Sequence, residues 1–201
     1  MTIATYSDLQ TTVANWLNRT DLTSTIPDLI TLAESRLSSD LKSRSMETKV
    51  TLSTVANTVI VAIPSDMVEM RRIQVLSNPN IVLSYRTPDE ISQDYPYGQT
   101  GTPTVFTVVG NNIEVYPIPD GVYSLELTYV QRIPALSASN TTNWCLTSWP
   151  NVYLFATLLE AAPFLMNDER IPVWKQKYQE AVQGVNSVDW YSGSTMKVRV
   201  K

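Results

Sequence analysis

The run at residues 151–166 constrains the fold more than any other stretch of the chain. Twelve of its sixteen residues are apolar. Val152, Phe155, Leu159 and Ala162 make one helical stripe and Leu154, Leu158, Ala161 and Leu165 the next, so the segment reads as a helix buried on nearly every side. Such a helix cannot lie on a surface, and other parts of the chain must enclose it. Pro163 has no N–H to donate and crowds the carbonyl four residues back, which predicts an end or kink near residues 159–162. The next segment is one-sided. Ile171, Trp174, Tyr178, Val182 and Val185 recur at helical spacing while Lys175, Gln176, Lys177, Gln179, Glu180 and Gln183 take the other faces. The link Asn167-Asp168-Glu169-Arg170 offers a cap-type residue and acidic charge at the start of this covering helix, and its shortness predicts antiparallel neighbours.

The N-terminal 45 residues carry the same period. Ser7-Asp8-Leu9-Gln10 has the spacing of a capping box, and Leu9, Val13, Trp16 and Leu17 form a stripe behind it. After the turn-like Asn18-Arg19-Thr20-Asp21, Thr25-Ile26-Pro27-Asp28 offers a cap, a first-turn proline and an early carboxylate. Leu29, Ile30, Ala33, Leu37 and Leu41 follow, predicting a helix that reaches Lys42 or Ser43. Two amphipathic helices at each end of the chain pack most simply on one another as a helical bundle.

Between them the pattern alternates. Residues 59–63, 71–76, 81–85, 105–109, 113–116 and 123–130 are rich in β-branched and aromatic side chains and predict six strands. Gly110-Asn111-Asn112 and Asp120-Gly121 supply turn chemistry, so the last three strands are expected to form an antiparallel meander. Thr87-Pro88-Asp89-Glu90 has capping-box form and predicts a short helix. Residues 92–103 read as an exposed, irregular loop. The expected fold is therefore α+β. A helical bundle of residues 1–45 and 143–190 carries an inserted antiparallel β domain at 46–142, with an extended C-terminal tail at 191–201.

Three stretches carry a resemblance. The first runs from Asn151 through Glu160 and Pro163 to Leu165, then Asn167-Asp168-Glu169-Arg170, Trp174 and Tyr178. The second is Ile63-Pro64-Ser65-Asp66-Met67-Val68-Glu69-Met70-Arg71-Arg72-Ile73. The third is Gly101-Thr102-Pro103 leading to Asn112 and to Tyr116-Pro117-Ile118-Pro119. Together, in their order along the chain, they resemble the head-to-tail adaptor proteins of short-tailed bacteriophages, through folding signatures and not catalytic ones. The resemblance implies a structural, non-enzymatic virion protein. It further implies a homo-oligomeric ring of twelve copies with the portal protein on one face and a tail or nozzle protein on the other. Double-stranded DNA would pass through the central channel. Its place would be the virion, between capsid portal and tail, and the host cytoplasm during assembly. A neck or tail-completion protein of a long-tailed phage is the alternative within the same class.

Composition narrows the chemistry. A formal charge of −4 over 201 residues argues against a partner held by phosphate neutralisation, and it suits a channel through which DNA must slide. The single cysteine, Cys145, excludes an intrachain disulfide. Met1-Thr2-Ile3-Ala4-Thr5 has neither the basic start nor the apolar core of a secretory leader, and the 151–166 run is shorter than the roughly 20 apolar residues of a bilayer span. No membrane role and assembly in a cytoplasm are expected. The absence of histidine removes the commonest general base and zinc ligand. None of the six glycines falls into a phosphate-binding motif, so neither cofactor nor metal is expected.

Four groups remain as candidates. Glu114 and Glu126 lie on strands facing a common hairpin and could serve a carboxylate-dependent tail glycan hydrolase, although strand alternation alone places both toward solvent. Asp66, Glu69, Arg71 and Arg72 form either a recognition patch or a solvated turn with local ion pairs. Trp144 and Trp149 anchor a neighbouring subunit or pack within the chain. The tail comes closest to a binding device. In Thr195, Met196, Lys197, Val198, Arg199, Val200 and Lys201 an apolar side alternates with a cationic one behind a Ser192-Gly193-Ser194 hinge. That pattern is suited either to adding a strand to the edge of a neighbour's sheet or to a disordered tail, and the resemblance implies the portal as that neighbour.

Overall fold

The computed structural model describes residues 3–19, 21–95, 98–165 and 169–188. In chain order the helices and strands are α1 (Tyr6–Leu17), α2 (Ile26–Asp40), β1 (Glu47–Ser53), β2 (Ile60–Ala62), β3 (Met67–Val75), β4 (Ile81–Val82), β5 (Ser84–Tyr85) and α3 (Pro88–Asp94). There follow β6 (Thr100–Gly101), β7 (Val105–Val109), β8 (Asn112–Tyr116), β9 (Ile118–Pro119), β10 (Ser124–Gln131), α4 (Trp144–Ser148), α5 (Pro150–Glu160) and α6 (Ile171–Val188). The fold is α+β. The chain divides into one unit of Met1–Met46 with Ile133–Lys201 and a second of Glu47–Arg132.

In the first unit α5 is the element the others touch. It packs against α1, α2, α4 and α6. Val152, Tyr153, Leu154, Ala156, Thr157 and Leu158 are all buried, so the burial on nearly all sides foreseen from the sequence is realised. The helix stops at Glu160 and passes into a 3-10 turn at Ala162–Phe164, where Pro163 removes the donor an α-helix would need. In α6 only one stripe is buried, through Trp174, Tyr178, Ala181 and Val185. Of the predicted link before it, residues 166–168 lie outside the described residues.

Two helix starts differ from the sequence reading. The capping box of α1 is Thr5 with Asp8, two residues earlier than expected. Asp8 N–H donates to the Thr5 hydroxyl, and Thr5 N–H donates to the Asp8 carboxylate at 3.0 Å. Thr5 takes this role because its backbone is extended, whereas Ser7 is already helical. Thr25 sits at the start of α2 in a helical conformation and its side chain caps nothing, because the preceding turn already leads the chain into the helix. The Thr87–Glu90 capping box of α3 forms as predicted.

The second unit is built from two four-stranded sheets, ordered β1-β10-β3-β4 and β2-β8-β7-β5, and a two-stranded sheet of β6 and β9. One core joins the two larger sheets. Ile73, Val75, Leu125, Leu127 and Tyr129 come from the first, and Val61, Phe106, Ile113 and Val115 from the second. Among the described residues ten strands replace the six expected. β1 escapes a search for apolar alternation because, of the three residues on its inward face, Thr48, Val50 and Leu52, only two are apolar, and all three are half-buried in a strand at a sheet edge. Residues 81–85 split between sheets, β4 pairing with β3 and β5 with β7, on either side of the buried Leu83. The predicted meander also fails. β7 and β8 form a hairpin, but β10 leaves that sheet to lie between β1 and β3. Pro117 and Pro119 lack the N–H that a third antiparallel strand would require, and Ile118–Pro119 pairs in parallel with Thr100–Gly101 instead. The stretch read as an irregular loop therefore contains the end of α3 and strand β6, with Ile91 and Pro103 buried nearby.

Candidate functional site

In the helical unit the polar atoms converge on Glu34. This residue lies one turn from Ile30 on the apolar stripe of α2 and is only 6% exposed. One of its carboxylate oxygens accepts the Leu136 N–H at 2.7 Å and the Tyr153 hydroxyl at 3.0 Å. Asn143 completes the node. Its amide donates to the Tyr153 hydroxyl at 2.8 Å and to the Pro134 carbonyl at 2.7 Å, while its oxygen accepts the Leu146 N–H and caps α4. The chain entering from residue 133 is thus fastened to α2 and α5 through buried hydrogen bonds. Burial pushes Glu34 above the ordinary carboxylate range, and the bonds from Leu136 and Tyr153 oppose that shift only in part. Burial, reinforced by the nearby Glu34 charge, pushes the Cys145 thiol up to about 12, which makes it inert at neutral pH. Composition gave no sign of this node. The available signal was a glutamate on an otherwise apolar helical stripe.

A second fastening holds α6. The Tyr178 hydroxyl donates to Asp40 at 2.7 Å, and Asn186 pairs with the end of α2 by donating to the Asp40 carbonyl and accepting the Lys42 N–H. These bonds satisfy backbone groups that a helix terminus leaves without partners. Burial and the Asp40 carboxylate both raise the Tyr178 pKa. At the other end of the unit, Trp16 sets its ring edge against Phe155 with centroids 5.8 Å apart, and Arg170 stacks 5.1 Å over Trp174 while donating to the Trp16 carbonyl. Trp144 and Trp149 are half-buried, so each presents part of its ring to solvent.

The carboxylate pair considered for hydrolysis does not meet across a cleft. Glu114 belongs to β8 and Glu126 to β10, strands of different sheets. Ile113, Val115, Leu125 and Leu127 fill the core between those sheets, so the two glutamates point away from it on opposite sides. Glu114 accepts the Tyr116 hydroxyl at 3.2 Å, and Glu126 receives Lys49 at 3.3 Å, Arg72 at 3.5 Å and Gln74 at 2.9 Å. The Asp66–Arg72 cluster is likewise drawn into local pairs. Arg71 reaches Glu69 and Glu47, and Asp66 accepts the Tyr129 hydroxyl at 3.1 Å. Among the described residues no group of three or more acidic, cysteine or histidine side chains is placed to hold a metal, and no helix is long and apolar enough to cross a membrane. The tail candidates Thr195 to Lys201 lie outside the described residues.

What the fold and these contacts define is an α+β protein in which Glu34, Asn143, Tyr153, Tyr178 and Asn186 fix its own loops and helix ends. A family model described as SU10 adaptor protein matches residues 4–199, nearly the whole chain. The chain belongs to that family and is therefore a phage adaptor, a structural protein of the virion. No curated protein matches it.

Proposed function

We propose that this chain is the head-to-tail adaptor of a short-tailed phage, a ring that joins the portal to the tail and lines the channel through which DNA leaves. The observation that carries the reading is the family match across residues 4–199. The three sequence stretches that resemble short-tailed phage adaptors support the tail type. The net charge of −4 supports a DNA channel, since a densely basic lining would hold the phosphates that must slide past it. In this reading the helices at 1–45 and 143–190 form a bundle that makes the ring wall, in twelve copies. The inserted β unit, Glu47–Arg132, faces the tail or nozzle protein. The segment Thr195 to Lys201 adds as a strand to the portal, main-chain bonds giving affinity and the alternation of Met196, Val198 and Val200 with Lys197, Arg199 and Lys201 giving specificity.

The test is the native mass of the full chain mixed with its phage's portal protein, beside a chain lacking residues 195–201. The expected result is a ring-sized increment on the portal that the truncation removes or weakens. An increment that survives truncation would keep the adaptor and discard the tail as its docking strand. No association at any salt concentration would remove the portal reading altogether.

A further inference from the structure

The larger sheets of the β unit leave one side of their shared core open. β4 covers only Gln74 and Val75 of β3, and β5 covers only Val105 and Phe106 of β7. Between the uncovered parts of β3 and β7 lies a groove of about 440 Å³. Its floor reaches the core through Ile73, Leu83 and Phe106. Its apolar walls include Val82, Tyr85 and Val108, which are 55%, 58% and 40% exposed although nothing polar compensates them. Large exposed apolar side chains gathered at one concavity are the usual mark of an interaction site.

Two further features say what fits there. Among the described residues, those with a charge that line the groove are Arg71 and Arg72, and none is a carboxylate. Both arginines are about half exposed, Arg71 pairing with Glu69 at 3.3 Å and Glu47 at 3.7 Å and Arg72 with Glu126 at 3.5 Å, ion pairs that an incoming carboxylate would displace. The second feature is the pairing of β3 with β10, which slips register twice, leaving Val68 and Arg71 as extra residues on β3. Bulges of this kind re-aim side chains and interrupt an edge, so they present Arg71 at the rim and disfavour the simple addition of a strand. Recognition here depends on side chains.

We propose that this groove is a docking site for a partner protein's acidic segment, whose large apolar side chain enters between β3 and β7 while flanking Asp or Glu residues pair with Arg71 and Arg72. Tyrosine and arginine around an apolar pocket are the residue types that concentrate binding energy at protein interfaces. The inference rests on the geometry of the β unit and stands or falls separately from the portal reading.

The test uses the full chain and three fluorescein-labelled peptides, read by anisotropy at low ionic strength. One carries a central Phe-Leu pair between glutamates, the second has lysines in place of the glutamates, and the third has alanines in place of the apolar pair. The first is expected to bind about tenfold or more tighter than either control, and the charge reversals Arg71→Glu and Arg72→Glu together are expected to invert the preference between the first two. Val82→Lys, at an exposed position that the fold does not depend on, is expected to weaken the first peptide as well. Failure of the first peptide to bind, equal affinity for all three, or a preference that survives the charge reversal would overturn the proposal. Sedimentation showing that the chain alone self-associates through this groove, with Tyr85→Lys abolishing it, would assign the site to a second copy and overturn it too.

Discussion

The two units solve the same problem in opposite ways. In the β unit the cluster that joins the two larger sheets is apolar apart from the Tyr129 hydroxyl, the buried polar side chains Thr54, Gln74 and Thr107 carry no charge, and Glu126, Glu114, Arg71 and Arg72 are turned outward into surface contacts. In the helical unit a carboxylate, an amide and a tyrosine hydroxyl are carried inside, at Glu34, Asn143 and Tyr153. The difference follows from what each core must hold. A sheet pairs its own backbone groups, so its interior can be purely apolar. The 134–142 segment belongs to no helix or strand, so side chains from α2 and from the residue that caps α4 bond its backbone. At Glu34 and Asn143 polar burial marks where irregular backbone has to be positioned.

The comparison can be broken most severely by removing apolar volume from either core. Leu158→Ala in α5 and Leu127→Ala in β10 each empty a fully buried site and are expected to cost about 2–5 kcal/mol in denaturant unfolding. A cost below about 1 kcal/mol for Leu158→Ala would mean that α5 is not the centre of the helical unit.

Next in size is Glu34→Ala, which leaves the Leu136 N–H and the Tyr153 hydroxyl without their acceptor. It is expected to cost about 2–3 kcal/mol, more than the equivalent change at the outward-facing Glu126. Glu34→Gln keeps an acceptor oxygen and removes the charge, and it separates the two effects by pH. Because the folded protein raises the Glu34 pKa, the folded state holds this proton more tightly than the unfolded chain. The stability linked to it is fully present below the ordinary glutamate value of about 4.3 and is lost as pH rises through the folded pKa. Stability measured from acidic to neutral pH should therefore fall in the parent relative to Glu34→Gln. A constant gap would show that the carboxylate is not desolvated.

Cys145 sharpens the same point by kinetics. Its thiol is 0% exposed and held near 12, so an aromatic disulfide reagent at mildly alkaline pH should modify it only as fast as the helical unit opens. Rapid modification of the native chain would contradict the packing of α4 on α5. The smallest effect belongs to the β unit's surface. Glu126→Gln breaks the ion pairs with Lys49 and Arg72 while leaving Gln74 a partner, and it should change stability by about 1 kcal/mol or less, and less still in high salt.

These differences also explain what could be read from the amino acids. α1, α2, α5 and α6 were legible because each buries apolar residues at helical spacing, α3 announced itself by its capping box, and Pro163 announced the end of α5. The five-residue α4 is too short to show a period and was not foreseen. β1 was not legible either, since a half-buried edge strand carrying Thr48, Lys49 and Thr51 has little apolar alternation to detect. Nor could spacing reveal that residues 81–85 change sheets at Leu83, because alternation reports which face a residue takes and not which sheet receives the strand. Glu34 was visible as a charge on an apolar stripe, but the donors that satisfy it come from positions 136 and 153, about a hundred residues away in sequence. The open groove depends on where β4 and β5 stop pairing, which no local pattern encodes.

The central claim is that the chain is a structural link between head and tail, and cross-linking mass spectrometry of intact virions tests it most directly. The account predicts that purified particles contain the chain and that it cross-links both to the portal protein and to a tail component. Its absence from purified particles, or cross-links confined to the capsid shell or to the distal tail, would contradict the account.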